Sequence, residues 1–82
     1  MSIGELRAAL DGVTGLAVEA RGHAQVAAER IAEAARILGE LAERSGTDLP
    51  AEHLAEAGEE VETVMAALHE ASELVSGLGA RL

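Results

Sequence analysis

The sequence predicts an all-α fold, an antiparallel two-helix hairpin of coiled-coil type that pairs into a four-helix bundle. Three observations predict it. Apolar residues recur at alternating steps of three and four over residues 3–41 and again over residues 54–82. A turn-forming segment with the only proline lies between these two stretches. The 82 residues contain no aromatic residue and no Cys, so Leu, Ile, Val and Ala must form any core.

The first helix is predicted over residues 3–44. Ser2 followed three residues later by Glu5 is a capping-box pattern, which satisfies the free amide groups at a helix start. The turn is predicted over residues 45–49, where Gly46 can adopt the left-handed conformation that ends helices. The first predicted element is therefore a long rod that ends at a glycine.

The second helix is predicted over residues 50–78, so that residues 1–82 form a single domain. Pro50 suits the first turn of a helix, and Gly77 and Gly79 are alternative C-terminal caps. In the rival arrangement each copy forms one straight, continuous helix, and two such helices pair. Pro50 disfavours that arrangement, because proline inside a helix removes a hydrogen bond and clashes with the preceding turn.

One apolar stripe on each helix is predicted to form the seam of the hairpin. If the chain folds back near Thr47, Leu41 meets Leu54 and Ile31 meets Val64 across this seam. Most layers then place a small Ala opposite a larger residue, which favours close packing of the helices. The predicted seam is Val13, Ala17, Ala20, Ala24, Ala27, Ile31, Ala34, Leu38, Leu41, Leu54, Ala57, Val61, Val64, Leu68, Ala71, Val75 and Leu78.

Apolar residues outside this seam predict a protein partner. Some extend beyond the part of the first helix that the second is expected to cover, and others widen the apolar surface towards that of a four-helix bundle. A frayed N-terminal turn is the alternative interpretation of the first three. The predicted partner-binding residues are Ile3, Leu6, Leu10, Leu16, Ile37, Met65 and Leu74.

The net charge of −9 is concentrated in the second half of the chain. Residues 1–44 contain five Arg and seven acidic residues, whereas residues 45–82 contain one Arg and eight acidic residues. Binding to nucleic acids or anionic membranes depends on clustered basic residues, so neither is predicted as a partner. An acidic face is predicted, either as a solvating surface or as a docking site for a basic protein: Glu56, Glu59, Glu60 and Glu62.

No catalytic residue, metal site or cofactor is predicted. His53 and His69 are about four turns apart on one predicted helix, so they cannot bind one metal ion within a monomer. Neighbouring carboxylates such as Glu59 and Glu60 lack the enclosed cleft that shifts the pKa of a catalytic acid. The sequence therefore predicts a protein that is not an enzyme.

The N-terminal region does not have the pattern of a cleavable signal peptide. Glu5 and Asp11 stand where a basic segment followed by an apolar one is expected. No stretch approaches the roughly 18 uninterrupted apolar residues of a transmembrane helix. We predict a cytoplasmic protein that does not insert into a membrane. Export by a route that needs no cleavable signal is the alternative.

The overall plan resembles the small helical-hairpin proteins of the WXG type, the ESX-like family. The resemblance rests on size, two long amphipathic helices, Ala and Gly richness, lack of Cys and a capped start at Ser2. At the turn, where the family has Trp-x-Gly, this chain has Arg44, Ser45 and Gly46, so only the glycine corresponds. Residues 76–82 contain no Tyr-x-x-x-Asp/Glu export motif. The resemblance implies pairing into four-helix bundles and a role as an export partner or targeting factor of a larger toxin.

Two functional hypotheses follow for a non-catalytic protein. The first is a helical interaction module that forms a homodimer, or a heterodimer with another helical protein, as a targeting or chaperone partner of a larger effector in a specialised secretion pathway. The second is an acidic intracellular inhibitor, or immunity-type protein, that binds a basic partner. The first depends on the unpaired apolar residues, and the second depends on the acidic residues.

Overall fold

The computed structural model describes all 82 residues as two helices that form an antiparallel hairpin. Helix α1 comprises Ile3–Ser45 and helix α2 comprises Ala51–Ala80. The hairpin measures 64 × 15 × 14 Å, so it is a rod only two helices wide. This architecture confirms the predicted all-α helical hairpin.

Both ends of α1 follow from their cap residues. The side-chain oxygen of Ser2 accepts a hydrogen bond from the backbone N–H of Glu5 at 3.0 Å, as the capping pattern predicts. At the other end Gly46 has φ 67°, and its N–H donates to the carbonyl of Ala42 at 3.0 Å. A left-handed residue here turns the chain away from the helix axis at little steric cost only if it is glycine.

Helix α2 begins one residue later and ends two residues later than expected. Pro50 precedes the helix rather than lying in its first turn. Gly77 and Gly79 do not cap the helix, because neither has positive φ and both continue it. The final turn is closed instead by the N–H groups of Arg81 and Leu82, which donate to the carbonyls of Leu78 and Gly79 at 3.2 Å each.

The contact between the helices uses one row of the predicted seam on each helix and replaces the other. The rows that are retained are half-buried and contain Ala17, Ala24, Ile31 and Leu38 on α1, and Leu54, Val61, Leu68 and Val75 on α2. Ala34 and Ala57 are half-buried beside them. The other predicted members are exposed, so their assignment to the seam was wrong: Val13, Ala20, Ala27, Leu41, Val64, Ala71 and Leu78.

Mostly small residues take the vacated positions, and Met65 is the one large exception. They include Thr14, Ala28, Ala35 and Ala42 on α1, and Ala51, Gly58, Met65, Ser72 and Gly79 on α2, all half-buried. Together with the retained rows we call them the inner rows. Small side chains let two helix backbones approach closely, whereas the larger residues of the predicted stripe would hold them apart. The hairpin therefore leaves its larger apolar side chains on one flank.

The register of the hairpin also differs from the prediction. A Cβ atom built on Gly58 would lie 3.4 Å from Cγ2 of Ile31, so these two residues are direct neighbours. Ile31 was expected opposite Val64, which lies almost two turns further along α2. The difference arises because the connection over residues 46–50 runs back alongside the end of α1, so that Ala51 begins α2 level with Leu38 and Gly39 rather than with Arg44.

No residue of the hairpin is fully buried. The inner rows are covered on one side by the opposite helix and remain open to solvent on the other. Burial of apolar surface is the main driving force of folding, and a domain of this size has little stability in reserve. A second surface that covers these helices would supply the missing burial.

Candidate interaction site

One long side of the hairpin carries a second set of apolar side chains, which we call the apolar face. On both helices its residues lie three or six positions later in the sequence than a residue of the retained inner row, as Val64 lies three positions after Val61. A twofold rotation about an axis perpendicular to the plane of two antiparallel helices exchanges the helices without turning the hairpin over. The corresponding rows of α1 and α2 therefore face the same side of the hairpin. The large members, all exposed, are Val13, Leu16, Ile37, Leu41, Val64, Leu74 and Leu78.

Alanines separate the large residues of the apolar face. On α1, Val13 and Leu16 lie towards the open end of the hairpin, whereas Ile37 and Leu41 lie near the turn. The small members between and around the large ones are Ala20, Ala27, Ala34, Ala57, Ala67 and Ala71. On α1 the large residues therefore lie at the ends and small residues in the centre, where another helix can approach closely, whereas on α2 Val64 lies in the middle.

The opposite side of the hairpin is polar. Arg21 Nη1 donates a hydrogen bond to Nδ1 of His69 at 2.9 Å, and this is the only side-chain hydrogen bond between the two helices. Near the open end, Arg7, Asp11 and Ser76 line a shallow depression on this side. We call these five residues the polar face. Because polar groups link the helices on one side only, the two sides of the hairpin differ in chemistry.

Five of the seven predicted partner-binding residues are exposed, and they form two groups. Leu16 and Leu74 are 68% and 67% exposed and lie on the apolar face together with Ile37. Ile3, which is 62% exposed, lies at the open end with the partly covered Leu6.

Two other predicted partner-binding residues belong to the hairpin itself. Leu10 and Met65 are half-buried members of the inner rows, so their expected exposure was wrong. The reason is the register. Because α2 continues to Ala80, it covers Leu10, and the rotation of both helices turns Met65 inwards.

The predicted acidic face does not form a single patch. By helical position, Glu56 and Glu59 lie on the outer side of α2, whereas Glu60 borders the apolar face and Glu62 borders the polar face. All four side chains are exposed, and none forms an ion pair within the hairpin. The four carboxylates therefore surround α2 instead of converging on one docking surface.

The ion pairs of the hairpin lie on the outer surface of α1. Arg36 pairs with Glu33 and with Glu40, one helical turn away on either side. Hydrogen bonds from Arg36, together with its positive charge, lower the pKa of Glu33, and the same contacts raise the pKa of Arg36. All three side chains are more than half exposed, so these pairs support the helix locally and leave the apolar face free.

The histidines are separate from one another. His69 contacts Arg21 on the polar face, and His53 lies at the turn end of α2. Nowhere in the chain do three His, Asp or Glu side chains gather at one point that could hold a metal ion. The hydrogen bond between Arg21 and His69 was not predicted, because it depends on the register of two helices whose residues are 48 positions apart in sequence.

Comparison with known proteins adds no relative. The chain matches no family model, and no characterised protein and no solved structure is significantly similar to it. Neither helix is long and apolar enough to cross a membrane. The surface of the chain is therefore the only indication of its function.

Proposed function

We propose that this protein is a non-catalytic interaction module whose apolar face packs against another helical protein surface. Its partner covers the apolar face and completes a four-helix bundle, in which each helix of the hairpin gains a second neighbour. The hairpin supplies two of the four helices. Its function is to bind, and the same surface provides both its binding energy and much of its stability.

One observation supports this proposal above all others. The hairpin has no fully buried residue, yet seven large apolar side chains lie exposed on one side of it. Burying one such side chain contributes about 1.5–3 kcal/mol. Large contiguous apolar patches are uncommon on monomeric soluble proteins and mark binding surfaces.

The resemblance to WXG-type hairpins supports a more specific proposal. In this proposal the module is a targeting or chaperone partner of a larger effector in a specialised secretion pathway, and the protein leaves the cytoplasm without a cleaved signal. A neighbouring gene for a long helical toxin or a secretion ATPase would support this role. A neighbouring gene for a compact basic toxin would instead support the acidic inhibitor, for which the dispersed carboxylates of α2 supply no single docking patch.

Thermal unfolding of the purified protein across a dilution series, with an added dye that fluoresces on apolar surfaces, tests the proposed module. If the protein associates with itself, a tenfold dilution removes about 1.4 kcal/mol of stability and lowers Tm by several degrees. If its partner is a different protein, the isolated hairpin is marginally helical and binds the dye at every concentration. A monomer that unfolds cooperatively, binds no dye and has a constant Tm would contradict the proposal.

A further inference from the structure

The surface area of the hairpin indicates how much contact is missing. Its accessible surface is 5944 Å². A compact monomer of the same mass exposes about 4,600 Å², so this chain exposes about 1,300 Å² more. If two copies each buried that excess, their interface would total about 2,600 Å². This value lies within the range of about 2,000–5,000 Å² that is typical of obligate homodimers.

Heights along the hairpin can be read from its register. Because the helices are antiparallel, residues at the same height have numbers with a constant sum. That sum is 89 for the neighbours Ile31 and Gly58, and 90 for the hydrogen-bonded pair Arg21 and His69. By the same rule Leu16 on α1 lies at the height of Leu74 on α2, since their numbers add to 90.

Two opposite charges also lie at one height on the edges of the apolar face. Arg30 is in the row of Leu16 and Ile37, and Glu60 is in the row of Leu74, because residues seven apart share a line along a helix. The numbers of Arg30 and Glu60 add to 90, so they lie level on opposite edges. Neither forms an ion pair within the hairpin.

We propose that the occupant of the apolar face is a second copy of this chain, related to the first by a twofold axis parallel to the length of the hairpin. This inference rests on the proposed interaction module and specifies its partner. The rotation places α1 of each copy over α2 of the other, with both turns at the same end. Each Arg30 then lies level with Glu60 of the partner subunit, and each Leu16 with Leu74 of the partner subunit.

This arrangement satisfies both the charges and the shapes of the apolar face. Two ion pairs form at the edges of the interface, where opposite charges fix the orientation of packed helices. Leucines meet leucines near the open ends, and in the middle Val64 of each copy lies close to the height of Ala27 of the partner subunit, where α1 carries small residues. A twofold axis perpendicular to the helices would instead place α1 against α1, so that the two Arg30 side chains would have no acidic partner at their height.

Charge-reversal variants used in combination test this arrangement. R30E alone and E60R alone each place two pairs of like charges at the edges of the dimer, and we expect the dissociation constant to rise about tenfold at low salt. When the two variants are mixed, both edges of a heterodimer carry opposite charges. Native mass spectrometry should then show heterodimers well above the half that random exchange gives.

R7E and E62R are the matched controls. They make the same changes in net charge but lie on the polar side of the hairpin, so they should weaken the dimer little and mix at random. Circular dichroism of all four variants checks that the helices are retained.

The alternative results distinguish the failure of this inference from that of the proposed function. A dimer that is insensitive to R30E and E60R, or that shows only random exchange, would overturn the twofold arrangement. A wild-type protein that stays monomeric but binds the apolar dye would overturn the second copy as occupant and leave a different helical partner. A stable monomer without dye binding would overturn the interaction module as well.

Discussion

Replacing Leu16 and Leu74 together by aspartate is expected to abolish association of the protein. Both side chains are about two-thirds exposed in the single hairpin, so their loss removes little from the contact between α1 and α2. In the proposed dimer four leucines are lost, at a cost of roughly 4 kcal/mol at the lower limit for burying their exposed two-thirds, and four carboxylates are placed in the interface. The dissociation constant should therefore rise more than a thousandfold. Analytical ultracentrifugation across a concentration series measures it.

The control for this variant replaces two other exposed apolar residues of α1. Val18 and Val26 are also exposed, but they lie outside the apolar face by helical position. A protein with both valines changed to aspartate carries the same added charge and should associate as the wild type does. Equal weakening by both double variants would show that added negative charge, and not the apolar face, controls association.

The second large effect distinguishes two valines on the same helix. Val61 is a half-buried member of the inner rows, whereas Val64 is 53% exposed on the apolar face. A carboxylate at position 61 lies against α1 and must lose part of its hydration, which costs several kcal/mol. We expect Val61→Asp to unfold the hairpin, because a domain of this size has only about 3–5 kcal/mol in reserve.

Val64→Asp should instead prevent association and retain more helix than Val61→Asp, because its carboxylate leaves the contact between α1 and α2 unchanged. Circular dichroism at high protein concentration compares the two variants, since residual helix in a monomer reports the hairpin itself. Loss of helix in both variants to the same extent would mean that residue 64 also lies between α1 and α2, as the sequence alone predicts. Loss of helix in neither would show that the inner rows contribute little to folding.

The sequence is sufficient to predict the helices, because their signals are local. The side chain of Ser2 and the backbone freedom of Gly46 act within one turn of the helix ends, and the structure confirms both caps. Apolar periodicity likewise identifies the half of each helix that avoids water. The all-α hairpin follows from these two kinds of local information.

The side chains that meet between the helices could not be predicted from periodicity alone. Each helix has three neighbouring rows of small or apolar residues, and two adjacent rows form the contact with the other helix. The prediction took the two more hydrophobic rows. The hairpin uses the pair with smaller residues, such as Gly58 and Ala28, because close approach of the backbones depends on size as well as hydrophobicity. Met65 was misassigned because of the same rotation of the helices, and Leu10 was misassigned because α2 extends to Ala80 in the observed register.

The apolar face follows from that choice. When the small residues pack between α1 and α2, the larger ones are left for a second contact. Residues such as Val64 were therefore wrong as members of the seam between α1 and α2, and we propose them instead as contacts to a second hairpin. Which surface covers them is the central question for this protein.

Thiol labelling measures most directly whether the apolar face is covered. The chain has no Cys, so a single Cys variant carries a unique reporter. Val64 and Val18 are 53% and 59% exposed in the single hairpin, which makes Val64→Cys and Val18→Cys a matched pair. We expect the Cys at position 64 to react at least tenfold more slowly at high protein concentration and to approach the rate at position 18 on dilution, as the dimer dissociates. Equal reaction rates at every concentration would contradict the second copy as the occupant of the apolar face, because they would show that this face of the isolated protein remains open to solvent.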